Sequence, residues 1–449
     1  MSVAKEAQTR LHQLNKALES GTFIKIRHML NGMSPAEIAH LIESVPPNAR
    51  LILWRLVSNE FGGEVLQYLN EETINQIVKG MDTDELTTVL EKLDTDDLAD
   101  ILQTLPKAVT KQVLNSLDSL NRKRIEVVLN YPNDTAGGLM NTDTITVRPN
   151  ITLDVVQRYL RRYKEIPDMT DNILVVNRKD QFIGILPLTK LLLNEPSMTV
   201  REAMITDVES IPASMHQNNV AKIFEYHDLI SAPVVDDNQV LLGRITIDDV
   251  VDVIREDAQH SIMSMAGLNE EEDIFAPIFT ATRRRSVWLG INALTAFIAA
   301  SVMGLFSATI EKVVALAILS PIVASMGGIA GNQTLTLVIR GMAVGHVGFA
   351  NARVLLRREV GVGILNGMIW ATIIGSAASL WWQEISIGLI IAAATLINLI
   401  VAAVCGASLP LILNRLKIDP AISGGVILTT VTDVVGFASF LGLATLVYR

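Results

Sequence analysis

The chain has 449 residues, 49% of them hydrophobic, with a mean hydropathy of +0.36 and a formal net charge of −10. That length exceeds one ordinary domain, and the acidic balance speaks against nucleic acid and for cations as ligands. A single cysteine, Cys405, excludes an intrachain disulfide and any multi-cysteine metal site. The charge is unevenly spread. Residues 1–285 carry 29 Lys and Arg against 42 Asp and Glu, and residues 286–449 carry 8 against 5, so an acidic water-soluble part and an apolar part share one chain. Met1 to Arg10 is polar and holds no cleavable apolar stretch; the expectation is no signal peptide and a cytosolic first half.

Residues 1–130 read as short helices in series. Ser34-Pro35-Ala36-Glu37 is a capping box with proline at the first helical position. Ile38, Leu41, Ile42 and Val45 follow at the spacing of one helical face. The pattern restarts at Met81-Asp82-Thr83-Asp84-Glu85-Leu86 and at Leu93-Asp94-Thr95-Asp96-Asp97-Leu98, each start acidic, as a positive helix N-terminus prefers. Pro46-Pro47 and Pro106 end units. The prediction is an all-α superhelical domain of helix pairs.

An internal repeat follows. Met140-Asn141-Thr142-Asp143 recurs as Met204-Ile205-Thr206-Asp207, and Val175-Val176 with Gly184 recurs, at the same offset, as Val234-Val235 with Gly243. Polar turns, Asn177 to Asp180 and Asp236 to Gln239, separate the predicted hairpin strands. Two α/β units, 137–198 and 199–256, resemble a tandem pair of cystathionine-β-synthase-like (CBS) domains.

Residues 257–285 form a connector with an acidic run, Glu270-Glu271-Glu272-Asp273, and a basic run, Arg283-Arg284-Arg285. In 286–449 long apolar stretches predict five transmembrane helices, near 286–308, 313–342, 359–382, 386–413 and 420–447, each long enough for the ~20 residues a crossing needs. Arg283 to Arg285 precede the first span, Arg353, Arg357 and Arg358 lie between the second and third, and Arg415 and Lys417 between the fourth and fifth. All three clusters fall on one side. That predicts a multi-pass protein of the cell (inner) membrane, with the N-terminus cytosolic and the C-terminus outside. The opposite loops hold Glu311, Lys312 and Glu384, with Trp381-Trp382 as an interfacial anchor.

Asp433 sits near the middle of the fifth span, in Thr429-Thr430-Val431-Thr432-Asp433-Val434. A carboxylate facing lipid there costs at least ~2.5–3.5 kcal/mol, so it must face protein or water. It either bonds to neighbouring threonines or backbone, or serves as a cation site, with Thr429, Thr430 and Thr432 supplying further oxygens. The second span contains Pro321 and Gly327-Gly328-Ile329-Ala330-Gly331-Asn332-Gln333. Two readings stand, and both can hold together: a broken helix with freed carbonyls lining an ion site, and a kink with Gly327xxxGly331 packed against another helix. Hard oxygen ligands select Mg2+, Ca2+ or Mn2+; one Asp per chain, doubled in a dimer, suits hydrated Mg2+, which usually keeps several waters. No GxxxxGK[ST] pattern or nucleophile–base motif occurs, so neither a pump nor an enzyme is expected.

Tyr131-Pro132-Asn133-Asp134-Thr135-Ala136-Gly137-Gly138-Leu139-Met140, Gly331-Asn332-Gln333 and Thr432-Asp433-Val434, in that order of regions, resemble the MgtE family of Mg2+ channels from end to end. The resemblance implies a homodimer in membrane lipid. Its pore would be lined by the second and fifth helices, with Asp433, Thr429, Gly425 and Asn332 at the ion. It further implies that cytosolic Mg2+, bridging Asp96, Asp100, Asp228, Asp249, Asp252 and Asp257, closes the pore through a connecting "plug" helix. Relatives often carry an acidic pair where this chain has His260-Ser261, and can carry Asn and Ala where it has Gly425 and Thr429. In the second repeat, Thr246 and Asp249 after a strand resemble the CBS adenosine-nucleotide pattern, which would make ATP a modulator; the first repeat has Pro187 and Lys190 there. Other readings are a less selective Co2+ or Mn2+ transporter and a membrane-anchored nucleotide sensor.

Overall fold

The computed structural model describes residues 10–12, 14, 16, 23–58, 61–91, 93–163, 166, 167, 169–268 and 272–448. Residues 1–9 of the polar N-terminal stretch, and Glu270 and Glu271 of the acidic run, lie outside the described residues. The chain divides into two units, Met1–Gln259 with Glu271–Ala276, and His260–Glu270 with Pro277–Arg449.

In the first unit, short helices run in series from Phe23–Leu30 to Ser119–Val128. The capping box at Ser34 forms: its Oγ accepts from Glu37 N at 3.4 Å while Ser34 N donates to Glu37 Oε2 at 3.0 Å. The helix it opens, Pro35–Glu43, buries Ile38, Leu41 and Ile42, and Val45 beyond it is also buried; each such side chain contributes about 1.5–3 kcal/mol. Asp82 caps Thr83–Leu90 by accepting from Glu85 N at 2.8 Å, and Asp94 occupies the N-cap of Thr95–Thr104. Arg50, fully buried, grips Asp273 with both guanidinium amines at 2.7 and 2.8 Å.

Each repeat folds as a three-stranded sheet. Strand β1 (Thr146–Val147) runs parallel to β2 (Asn172–Val176), which pairs antiparallel with β3 (Phe182–Pro187). In the second copy β4 (Ile211–Pro212), β5 (Ser231–Val235) and β6 (Leu241–Thr246) repeat that order. The equal offset read from the sequence reappears as register, with Val175 opposite Gly184 and Val234 opposite Gly243. The repeated Met-x-Thr-Asp segments have a reciprocal role. Asn141, near the start of the first repeat, bridges to Arg244 of the second, and Ile205, near the start of the second, bridges to Ile185 of the first. A side chain at Gly243 would meet Asn141 O at 2.6 Å, and one at Gly184 would overlap Ile205 O. Each glycine therefore opens a slot for the other repeat's lead segment. The first repeat has its own core, Ile145 to Ala203, whereas the second shares one with the N-terminal helices.

The second unit has five helices long and apolar enough to cross a membrane: Ile278–Gly304, Ala315–Ala343, Ala352–Trp382, Ile385–Arg415 and Pro420–Val447, spans 1 to 5 below. The helix that carries span 1 begins at Ile278, so Arg283 to Arg285 continue it ahead of the predicted apolar stretch. Span 2 is one continuous helix with Pro321 inside it, which corrects the expectation of a break. Its glycines are taken up by neighbours: a Cβ at Gly331 would lie 2.9 Å from Leu428 Cδ2, and one at Gly327 would overlap Asn398 Nδ2. Of the two readings, close packing holds. Gly363, Gly367, Ala371 and Gly375, four apart, form the buried seam of span 3 against span 4, as small residues let backbones approach. The Arg415 guanidinium, ending span 4, lies 6.0 Å from the Phe349 ring centroid in the loop between spans 2 and 3, so those two basic loops share one end of the bundle. Tyr448 donates to Glu384, and Thr309 bonds Thr445 at 2.8 Å, at the other.

Candidate functional site

Span 5 carries Gly425, Thr429 and Asp433 four residues apart, on one helix face. All three are half-buried. Span 2 faces them: a Cβ at Gly425 would lie 3.9 Å from Asn332 Oδ1, and one at Gly328 3.9 Å from Thr429 Cγ2. The structure thus gathers Asn332, Gly425 and Thr429 at one seam, with Asp433 one turn further along the same face. The threonine hydroxyls turn to their own helix: Thr429 Oγ1 donates to Gly425 O at 3.0 Å, Thr430 Oγ1 to Val426 O at 2.6 Å and Thr432 Oγ1 to Leu428 O at 3.1 Å. Among the described residues the Asp433 carboxylate has no hydrogen-bond or ion-pair partner. The threonine-bonded reading of Asp433 is therefore not what forms, and its oxygens are left for something else.

Two buried polar groups of this unit escape sequence reasoning. Glu359, 5% exposed, accepts from Thr334 Oγ1 of span 2 at 3.3 Å and from Arg358 Nη1 at 2.8 Å. It follows directly on Arg357-Arg358 and opens the predicted third span, where its pairing with span 2 has no local signal. Asn398, fully buried in span 4, donates from Nδ2 to Val323 O at 2.8 Å; a lone amide amid an apolar run was the signal available. At the basic end of the bundle, His260 Nε2 lies 2.9 Å from Asp419 Oδ2, while Asp419 Oδ1 caps span 5 through Ala421 N at 2.8 Å. His260 is thus engaged by the capping residue of span 5.

The first unit holds the second cluster. Carboxylate oxygens of Asp94, Asp96 and Asp97 lie within 4.8 Å of one another, at the first turn of Thr95–Thr104. Asp248 and Asp249, at the first turn of Ile247–Met265, press on them electrostatically. Loss of water, then Asp94 and Asp248, push the Asp96 carboxyl up to about 7. Loss of water, then Asp96 and its neighbours, take Asp97 to about 8. Asp249 is raised well above its ordinary value by loss of water, then by Asp96, Asp248 and Asp97. Asp100 has an open solvent edge but is walled by protein elsewhere; that lost water, Asp96 and Glu256 raise it to about 7. Asn141 Nδ2 donates to Asp96 Oδ1 at 3.3 Å. So many carboxylates with so little compensation suit a divalent cation, whose charge would remove the repulsion.

Other predicted ligands stand apart or at the margin. Asp252 is exposed, 3.7 Å from Arg255, with its charge felt at Tyr68 beside those of Asp97 and Asp248. Asp257 accepts from Asn218 Nδ2 at 2.9 Å. Asp228 is the exposed, left-handed C-cap of Gln217–His227, and no described contact links it to the cluster. Thr246 donates from both N and Oγ1 to Asp249 Oδ2, at 3.3 and 3.2 Å; the nucleotide-like pair here caps a helix.

Residues 320–443 match the family model described as MgtE, a divalent cation transporter, residues 33–134 the MgtE intracellular N domain, and residues 136–195 and 200–256 the CBS domain. The magnesium transporter MgtE of Thermus thermophilus is 30% identical over 439 residues, 96% of this chain and 97% of that protein. The chain belongs to the MgtE family. The Bacillus subtilis magnesium transporter MgtE is also 30% identical, over 332 residues and 74% of each chain. A crystal structure of the cytosolic domain of the Mg2+ channel MgtE in complex with ATP is 31% identical, with a TM-score of 0.50, covering 54% of this chain and 99% of that one. The five spans and this MgtE kinship make the chain a multi-pass membrane protein built of the MgtE N domain, tandem CBS domains and a transmembrane domain.

Proposed function

We propose that this protein carries Mg2+ across the cell membrane, down its electrochemical gradient, along the seam where Asp433, Thr429 and Gly425 of span 5 meet Asn332 of span 2. The observation that carries the reading is the half-buried, unpartnered Asp433 carboxylate in the middle of a span. A charge at that depth is unfavourable unless a countercharge meets it, and neutral oxygens beside it suit a cation that keeps most of its water. The T. thermophilus and B. subtilis relatives, magnesium transporters by name, support Mg2+ as the cargo. A potential of 100 mV contributes roughly 4.6 kcal/mol to inward movement of a divalent ion, so no coupled energy source is needed. With the basic loops in the cytosol, the N-terminal unit is cytosolic and the C-terminus outside. The chain acts as a homodimer, two copies of Asp433 then sharing one ion.

The acidic cluster is the regulator in this reading. Mg2+ bound among Asp94, Asp96, Asp97 and Asp249, with Asp100 and Asp252 at its margin, holds the cytosolic unit together and closes the path as internal Mg2+ rises. Asp228 and Asp257 would join only after a rearrangement. ATP as a modulator rests on the ATP-bound relative and on Thr246 and Asp249, which must exchange their mutual bond for the nucleotide. A broader Co2+ or Mn2+ transporter uses the same seam, and competitive flux separates the two. The deciding experiment is Mg2+ uptake into proteoliposomes. Uptake by the unmodified protein and its loss in Asp433→Ala are expected; equal uptake by both rejects Asp433 as the ion's ligand.

A further inference from the structure

We propose that Asn398 is a positioning residue for transport: a wedge between spans 2 and 5 that sets the width of the seam holding Asp433. This rests on the reading of that seam as the Mg2+ path. Asn398 stands midway along span 4 and is fully buried. Its Nδ2 donates to Val323 O of span 2 at 2.8 Å. Two glycines make room for the same amide. A Cβ at Gly327 of span 2 would overlap Nδ2, and one at Gly436 of span 5 would lie 2.9 Å from it. Glycine within a helix is unfavourable, so two of them at one side chain mark a slot built for that side chain.

The slot controls the seam through its neighbours in sequence. Gly327, against the amide, is followed by Gly328, against Thr429. Gly436, against the amide from the other side, lies three residues from Asp433, close to one helical turn. A change at Asn398 therefore shifts both walls of the path at once, without touching the ion.

Packing stability does not account for an asparagine here. Its Oδ1 has no hydrogen-bond partner, nor has the fully buried Thr395 Oγ1 one turn earlier. A bare buried acceptor is unfavourable, and alanine at 398 would remove it. The wedge thus predicts a separation that a purely structural residue would not produce, in which transport suffers while folding does not.

The test uses the full-length protein in proteoliposomes. Asn398→Ala should raise the KM for Mg2+ about tenfold while leaving the maximal rate within about threefold and the protein folded, its thermal midpoint in detergent lowered by only a few degrees. Gly327→Ala alone, which drives a methyl into the amide, should lose most uptake, and adding Asn398→Ala to it should restore uptake to the level of Asn398→Ala. Unchanged KM in Asn398→Ala, full activity in Gly327→Ala, or a double variant as impaired as Gly327→Ala overturns the wedge while leaving Mg2+ transport standing. An absence of uptake by the unmodified protein overturns the transport reading instead, and this proposal with it.

Discussion

The two units handle negative charge in opposite ways. The first crowds Asp94, Asp96, Asp97, Asp100, Asp248 and Asp249 around two helix starts, where repulsion and lost water push several carboxyls upward. The second places one carboxylate, Asp433, in the middle of a span, among threonines whose hydroxyl protons are already committed to backbone. A crowd of charges binds a cation strongly and changes shape on losing it. A lone charge beside neutral oxygens attracts a hydrated ion and lets it leave. In the proposed function the contrast is that between a sensor and a path, distinguished by how much uncompensated charge each site holds. Asp273 is the control: a buried carboxylate of the first unit that does have a partner. Burial would raise it, but hydrogen bonds from Arg50 and Phe275 N–H and the guanidinium charge hold it below its ordinary value.

The comparison can be broken at several points. The largest effect is expected at the lone charge, where Asp433→Asn should lower Mg2+ flux by about a hundredfold with the purified protein still folded; flux within twofold of the unmodified rate would make the path's charge dispensable. Next is the control. Arg50→Ala leaves Asp273 buried and unpaired, at a cost of about 3–5 kcal/mol, read as a lowered unfolding midpoint of the first unit. A change below about 1 kcal/mol would mean that water reaches Asp273 and that it is no control.

The crowd should then show itself through pH. Its carboxyls bind protons more tightly when folded than when unfolded. Their contribution to stability is complete below about pH 3.8 and is lost as pH rises through about 7 to 8. Without divalent cations the first unit should lose protease resistance across that window, and millimolar Mg2+ should remove most of the loss. Asp273 acts with the opposite sign, its contribution being lost as pH falls below its lowered pKa. A unit whose resistance rises towards pH 8 without metal would contradict the crowding. The smallest effect is expected at the cap. Thr246→Ala should cost about 1 kcal/mol and, if the pair also meets ATP, weaken nucleotide binding measured by calorimetry; unchanged affinity would confine Thr246 to capping.

Much of this was legible in the sequence. The capping box at Ser34, the equal offset of Val175–Gly184 and Val234–Gly243, and the five apolar runs are local patterns, and local patterns survive folding. Asp433 stood out because a charge at bilayer depth has few explanations. What stayed hidden was settled by neighbours distant in sequence. Gly327 and Gly331 look like a break when read alone and are close-packing positions once Asn398 and Leu428 arrive. Glu359 opens the predicted third span, but its bond to Thr334 of span 2 depends on packing that no local pattern gives.

The exchange of Asn141 and Ile205 between the two repeats has one more consequence. Each sheet is finished by a segment belonging to its twin, like a clasp whose halves carry one another's pin. A fragment ending near residue 198 would keep the Gly184 slot yet lack the segment that fills it, exposing a bare sheet edge to any passing strand. The pair is therefore expected to tolerate truncation or transplantation only as a whole.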